Sequence, residues 1–184
     1  MKFLKTEIEG VWICEPKVYA DARGYFVETW REAEFNQQIG SPVKFIQDNQ
    51  SKSSLGVLRG LHYQKGEYSQ AKLVRVLQGA VIDVAVDLRK ESPTFGKHVA
   101  VELSEDNFRQ LFIPRGFAHG FQVISQTAVF AYKVDNIYAP QEEVCIRFDD
   151  PTLQIQWPIS DPTQISLSEK DNLRSVSFLE APSF

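Results

Sequence analysis

Ala71-Lys72-Leu73-Val74-Arg75-Val76-Leu77-Gln78-Gly79-Ala80-Val81-Ile82-Asp83-Val84-Ala85-Val86-Asp87-Leu88 is the stretch that decides the fold class. Aliphatic and β-branched residues fill both halves, and a single glycine, Gly79, divides them at the natural point for a hairpin. Strands are therefore predicted over 71–78 and 80–88. Working outward, similar runs bounded by Gly, Pro, Asp and Asn predict strands over 10–14, 25–30, 43–49, 57–64, 98–103, 109–113, 120–124, 128–134 and 144–147. Only 31–38, which stops before Gly40, and a short turn over 168–172, which Ser168 can cap, read as helical. That ratio excludes a Rossmann fold or an α/β barrel. It predicts an all-β fold, a jelly roll of two antiparallel sheets with a few short helices.

Length and composition fit one such domain over residues 1–184, since 43% of the residues are apolar and no linker or repeat interrupts them. A net charge of -4 argues against a general nucleic-acid or membrane-surface binder, so any anionic ligand must be held by local cations. Two cysteines, Cys14 and Cys145, stand in no metal-binding spacing and suit a reducing compartment. The charged start lacks a signal-peptide core, and no stretch approaches the ~18 apolar residues of a membrane span. A cytoplasmic protein is expected.

Polar residues inside apolar strands mark where a ligand would sit. They fall in Arg59-Gly60-Leu61-His62-Tyr63-Gln64, in Lys72-Leu73-Val74-Arg75-Val76 and in Pro114-Arg115-Gly116-Phe117-Ala118-His119-Gly120-Phe121. Two of the three histidines lie here. Strand alternation puts His62 and Gln64 on one face and Arg59 on the other, so Arg59 and His62 can both point inward only if Gly60 permits a bulge. Taken singly, each histidine reads equally well as a hydrogen-bonded core imidazole. Their company with Lys72 and Arg59 points to a site.

A metal centre is the first rival reading. Gly56, His62 and the Pro114-x-Gly116-x-x-His119 run are similar to the two cupin signatures, in which histidines and a carboxylate hold a divalent ion. Yet Gln64 replaces the second histidine, Glu67 comes slightly too early for the acidic ligand, and His98 lies in a separate strand. No set of three good ligands emerges, so no metal is expected.

The segments Arg-Gly-Leu-His-Tyr-Gln (59–64), Lys-Leu-Val-Arg-Val (72–76), Pro-Arg-Gly-Phe-Ala-His-Gly-Phe (114–121) and Ala-Tyr-Lys-Val-Asp (131–135) together resemble the dTDP-4-dehydrorhamnose 3,5-epimerase family. The resemblance extends to 21–28, to Gln47-Asp48-Asn49 and to 168–171. It implies a homodimeric cupin that needs no cofactor. Such an enzyme inverts carbons 3 and 5 of a thymidine-diphosphate 4-keto-6-deoxyhexose on the way to activated L-rhamnose for surface polysaccharide.

The chemistry explains the residue types. Both carbons flank the ketone at carbon 4, so their hydrogens are acidic and an enolate is the natural intermediate. The resemblance makes His62 the proton acceptor, a group whose ordinary pKa of about 6.5 suits the task. It makes Asp171 the partner of the far ring nitrogen, Lys72 the donor to the developing oxyanion, His119 an assisting group, and Tyr132 the acid on the opposite face. Without the resemblance, Tyr132 reads as a packed strand aromatic. Arg23 and Arg59 are the diphosphate candidates. By resemblance Arg23 and Glu28 reach into the partner subunit's pocket, with Glu28 toward the thymine. Gln47 and Asn49 face the nucleotide while Asp48 points away and offers only backbone. Tyr138 stacks on thymine, Glu143 meets the nucleoside, and Lys170 adds charge, although Glu143 and Lys170 read equally well as solvated loop residues. A single-carbon epimerase, a non-catalytic nucleotide-sugar-binding jelly roll and a metal-dependent cupin remain alternatives.

Overall fold

A computed structural model describes residues 1–184. In chain order its elements are β1 (Lys2–Lys5), β2 (Trp12–Glu15), β3 (Val18–Asp21), β4 (Gly24–Val27), α1 (Glu32–Ile39), β5 (Gln47–Ser54), β6 (Leu58–Gln64), β7 (Lys72–Gln78), β8 (Ala80–Asp87), β9 (His98–Ser104), β10 (Gln110–Ile113), β11 (Phe117–Val123), β12 (Thr127–Val134), β13 (Glu143–Cys145) and α2 (Glu169–Arg174). A six-stranded sheet runs β1-β2-β10-β7-β12-β5 and a five-stranded sheet β13-β6-β11-β8-β9, with β3 and β4 forming a separate ribbon. The expected two-sheet antiparallel jelly roll is the observed architecture.

Gly79 is a corner and not a hairpin. β7 pairs with β10 and β12 in one sheet, whereas β8 pairs with β11 and β9 in the other. The chain therefore crosses between sheets at Gly79, where φ is +77° and a Cβ would sit 2.0 Å from the Thr127 carbonyl oxygen. The reason is burial. Val74 and Val76 of β7 face Val81 and Ala85 of β8 across one core, which a flat hairpin could not arrange. Phe121, Phe130 and Leu111 complete that core.

Apart from Asp83 and Asp87, β8 is apolar on both faces because a second cluster, including Val84, Val86, Leu58, Leu61, Ile146 and Trp157, covers the back of its sheet with the C-terminal segment. A third, with Phe35 of α1, lies on the outer face of the six-stranded sheet. α1 ends at Gly40 in the left-handed region, and Ser168 caps α2 by accepting from the Asp171 amide.

The strand expected over 43–49 lies instead at Gln47–Ser54, a polar octet without apolar periodicity. It forms because it is an edge strand that pairs with β12 from end to end. Its inward residues border a cavity, so they need not be apolar. β1 and β3 were not expected, because charged or mixed tetrapeptides carry no alternation of their own.

The bulge at Gly60 is present. His62 pairs with His119 while Arg59 pairs with Phe121, three steps on β6 against two on β11. The extra residue turns Arg59 to the face of His62. At Gly60 φ is +128°, and a Cβ would lie 2.5 Å from the Gly120 Cα. Gly60→Ala is expected to destabilise the fold by about 3 kcal/mol, from a forbidden backbone region plus a backbone clash. A thermal melt showing a fall of less than about 3 °C would contradict this.

Candidate active site

At one end of the sandwich the inward face changes from apolar to polar. On β7 the inward series runs Val76, Val74, Lys72, and on β12 it runs Phe130, Tyr132. The resulting cavity, about 240 Å³, is walled by Arg59 and His62 of β6, Lys72 of β7, His119 of β11, Tyr132 of β12, Glu143 of β13, and Lys170 and Asp171 of α2. Eight of the residues singled out from the sequence thus meet in one place. His62 and Tyr132 belong to different sheets, so they stand on facing walls.

His62 Nε2 lies 2.6 Å from Asp171 Oδ1 across 109 residues of chain. Burial opposes ionisation of Asp171, but hydrogen bonds, led by that from His62, outweigh it and leave the carboxyl below its usual range. An ionised carboxylate only accepts, so Nε2 carries the proton and Nδ1 keeps its lone pair. The Cys145 thiol also approaches Asp171 Oδ1, at 3.6 Å.

His62, Cys145 and Asp171 are the one trio of potential metal-ligand atoms, all within 4.8 Å of one another. The 2.6 Å separation is that of a hydrogen bond. Two donors on a tetrahedral zinc would stand roughly 3.3 Å apart, given bonds of about 2.05 Å. Burial also pushes the Cys145 thiol up to about 12. The trio fits a hydrogen-bonded cluster better than a metal centre.

Burial pulls the Lys72 ammonium down to about 8, against the charges of Asp83 and Glu143 that hold it up. Burial likewise lowers His119, whose Nε2 is 2.9 Å from Asp83 Oδ2. Tyr132 is raised by burial, an effect tempered by Arg59, so its phenol stays protonated. Arg59 donates to Ser53 Oγ through Nε at 3.2 Å and through its terminal nitrogen at 3.1 Å. At the rim, Glu143 accepts from Lys170 and from the Tyr138 hydroxyl, the latter at 2.7 Å. Tyr138 is more than half exposed, with its ring free.

The remaining candidates lie elsewhere. Gln47 and Asn49 oppose Val134 and Tyr132 in the register, share the cavity's face, and are joined by a 2.8 Å bond from Gln47 Nε2 to Asn49 Oδ1. The side chain of Asp48 points to the outer face, where it pairs with Lys133 at 2.8 Å. Only its backbone can meet a ligand in this cavity. Arg23, 90% exposed at the ribbon turn, is paired with Asp21, and Glu28 is paired with Arg31. Neither enters the cavity of its own subunit. Sequence reasoning passed over Ser53 and Asp83. Asp83 carried a readable signal, as a lone carboxylate inside Val81–Val86.

A jelly roll with an imidazole and a protonated phenol on facing walls has the groups that an acid–base isomerase needs to take a proton from one side of a carbon and return it to the other. The model of the family described as dTDP-4-dehydrorhamnose 3,5-epimerase matches residues 5–177. The chain belongs to the dTDP-4-dehydrorhamnose 3,5-epimerase family. It is 51% identical over 184 residues to the dTDP-4-dehydrorhamnose 3,5-epimerase of Shigella flexneri, covering 100% of this chain and 99% of that one. A Legionella pneumophila epimerase solved with dTDP-4-keto-L-rhamnose superposes with a TM-score of 0.91 at 48% identity, over 95% of this chain and 92% of that one. A 3'-monoepimerase from Streptomyces bikiniensis, solved with dTDP-quinovose, is more distant, at TM-score 0.85 and 34% identity over 92% and 85% of the two chains.

Proposed function

We infer that residues 1–184 act as one catalytic domain that epimerises carbons 3 and 5 of dTDP-4-dehydro-6-deoxy-D-glucose to give dTDP-4-dehydro-L-rhamnose, for rhamnose-containing surface polysaccharide. The observation that carries the mechanism is the facing pair, His62 backed by Asp171 on one sheet and Tyr132 on the other. His62 Nδ1 takes the hydrogen next to the ketone, and Asp171 stabilises the imidazolium that forms. Lys72 donates to the carbonyl oxygen as it becomes an enolate, with His119 beside it. Tyr132 then protonates the carbon from the opposite side. Every proton in this scheme moves on a side chain of this protein, so no cofactor enters a step.

Nucleotide recognition follows from the local cations expected for a chain of net charge -4. Arg59 and Lys170 meet the diphosphate and nucleoside end, Tyr138 stacks on thymine, Glu143 contacts the nucleoside, and Gln47, Asn49 and the Asp48 backbone extend the same wall. Arg23 and Glu28 complete the pocket of a partner subunit in a homodimer. Supporting this is the ribbon of β3 and β4, which exposes the aromatic side chains Tyr19, Tyr25 and Phe26. No helix is long and apolar enough to cross a membrane. Two free buried thiols accord with a reducing cytoplasm.

The decisive experiment follows solvent deuterium into each carbon separately by NMR. Label at both carbons with inversion is expected. Label at one carbon alone would make the protein a single-carbon epimerase, and tight binding with no label would make it a binding module.

A further inference from the structure

Beneath the cavity lies a carboxylate that this scheme leaves unused. Asp83 sits on the inward face of β8, fully buried, opposite Phe121 in the register and beside the apolar core of Val81, Ala85 and Phe130. Its Oδ2 meets His119 Nε2 at 2.9 Å. Its Oδ1 has no hydrogen-bond partner, the one buried side-chain nitrogen or oxygen in the chain of which this is true. Stability gives no reason for such a group, because an apolar residue of similar volume would fill the site without desolvating a charge.

The compensation lies in what surrounds it. His119 and Lys72 both line the cavity, and Asp83 and Glu143 are the two anions whose charge acts on Lys72. Glu143 is already engaged by Lys170 and Tyr138. Asp83 has no cation bonded to it.

We propose that Asp83 is a positioning residue of the reaction, orienting His119 through one oxygen and, through its uncompensated charge, keeping Lys72 an ammonium for the enolate oxygen. The idea rests on the epimerase reading. Because an ionised Asp83 only accepts, the His119 proton is on Nε2 and the lone pair on Nδ1. Burial alone draws Lys72 downward, and Asp83 opposes it. Removing that negative charge must lower Lys72 further, so the ammonium disappears at a lower pH. The other titratable groups around Lys72 are Arg59 and His62 on β6, His119 on β11, Tyr132 on β12, Glu143 on β13, and Lys170 and Asp171 on α2, and of these only His119 is hydrogen-bonded to Asp83.

Asp83→Asn tests this, since the amide oxygen still accepts from His119 while the charge is gone. The alkaline limb of the kcat profile is expected to move down by about one pH unit or more, with kcat at pH 8 reduced about fivefold or more, kcat at pH 6 within threefold and KM little changed. Titration of Lys72 by carbon-13 NMR, which needs no turnover, is expected to move in the same direction. Asp83→Ala, with the same expected shifts, is the second variant if the amide fails to fold. A limb and a Lys72 titration that stay in place in a folded variant would overturn the proposal, whatever the loss of thermal stability. A wild-type enzyme that exchanges no substrate hydrogen would overturn the epimerase reading itself. An active wild type with an unmoved limb would overturn only the role of Asp83.

Discussion

His62→Ala is expected to abolish exchange of substrate hydrogens with solvent deuterium and to lower kcat by about 10³-fold, near the middle of the range for loss of a general base. No neighbour can replace the imidazole. Burial lowers His119 and makes it the weaker base, and the Glu143 carboxylate is occupied by Lys170 and Tyr138. Asp171 sits behind His62 as its partner and not in front of it as a second base. KM should change little, because the interaction removed is made only as the proton leaves. A variant that retains more than a tenth of wild-type turnover would remove His62 from the role.

The same dyad contributes to stability with a defined sign. Asp171 is held below its unfolded value, so its contribution is present above the ordinary aspartate pKa of about 3.9 and is lost as pH falls through the folded value. His62→Ala withdraws the leading hydrogen bond and leaves a buried carboxylate. Its melting temperature should therefore drop at neutral pH by more than it does at pH 3, where the wild type has begun to lose the pair as well. Equal drops at both pH values would contradict this. His62→Asn, whose amide can still donate to Asp171, separates the chemical loss from the structural one.

What could be read in advance divides along physical lines. Lys72, His62 and His119 were legible because each is a polar residue in an apolar strand, and Gly60 was legible because alternation failed unless a bulge was inserted. The partnership of His62 with Asp171 was not readable from spacing, since a contact across 109 residues depends on how α2 folds back over β13. It came only from the family resemblance. Gly79 misled because a glycine between two apolar strands reads alike whether the chain turns within one sheet or crosses to the other, and only the total pairing of β7 and β8 decides. The 47–54 strand was displaced because a strand facing a polar cavity loses the periodicity by which strands are found. Asp83 was overlooked inside the very run that fixed the fold class, where a single carboxylate was absorbed into a strand assignment.

Tyr132→Phe should separate the two halves of the reaction. The phenol is removed while the ring remains, so packing against Phe130, at 6.1 Å between centroids, is preserved and the fold should hold. Net epimerisation is expected to fall about 10²- to 10³-fold, equivalent to roughly 3–4 kcal/mol of transition-state stabilisation. Exchange should nonetheless continue, because His62 can still take the hydrogen and return one from solvent to the face it left. Deuterium would then accumulate without inversion, an outcome that a merely structural tyrosine could not produce. Parallel loss of exchange and epimerisation would count against an acid role on the far wall. Burial raises the phenol above its ordinary value, so it is not the group that titrates first on the alkaline side. If Lys72, drawn down by burial, is the oxyanion donor, the alkaline limb is its own and should survive unchanged in the residual activity of Tyr132→Phe.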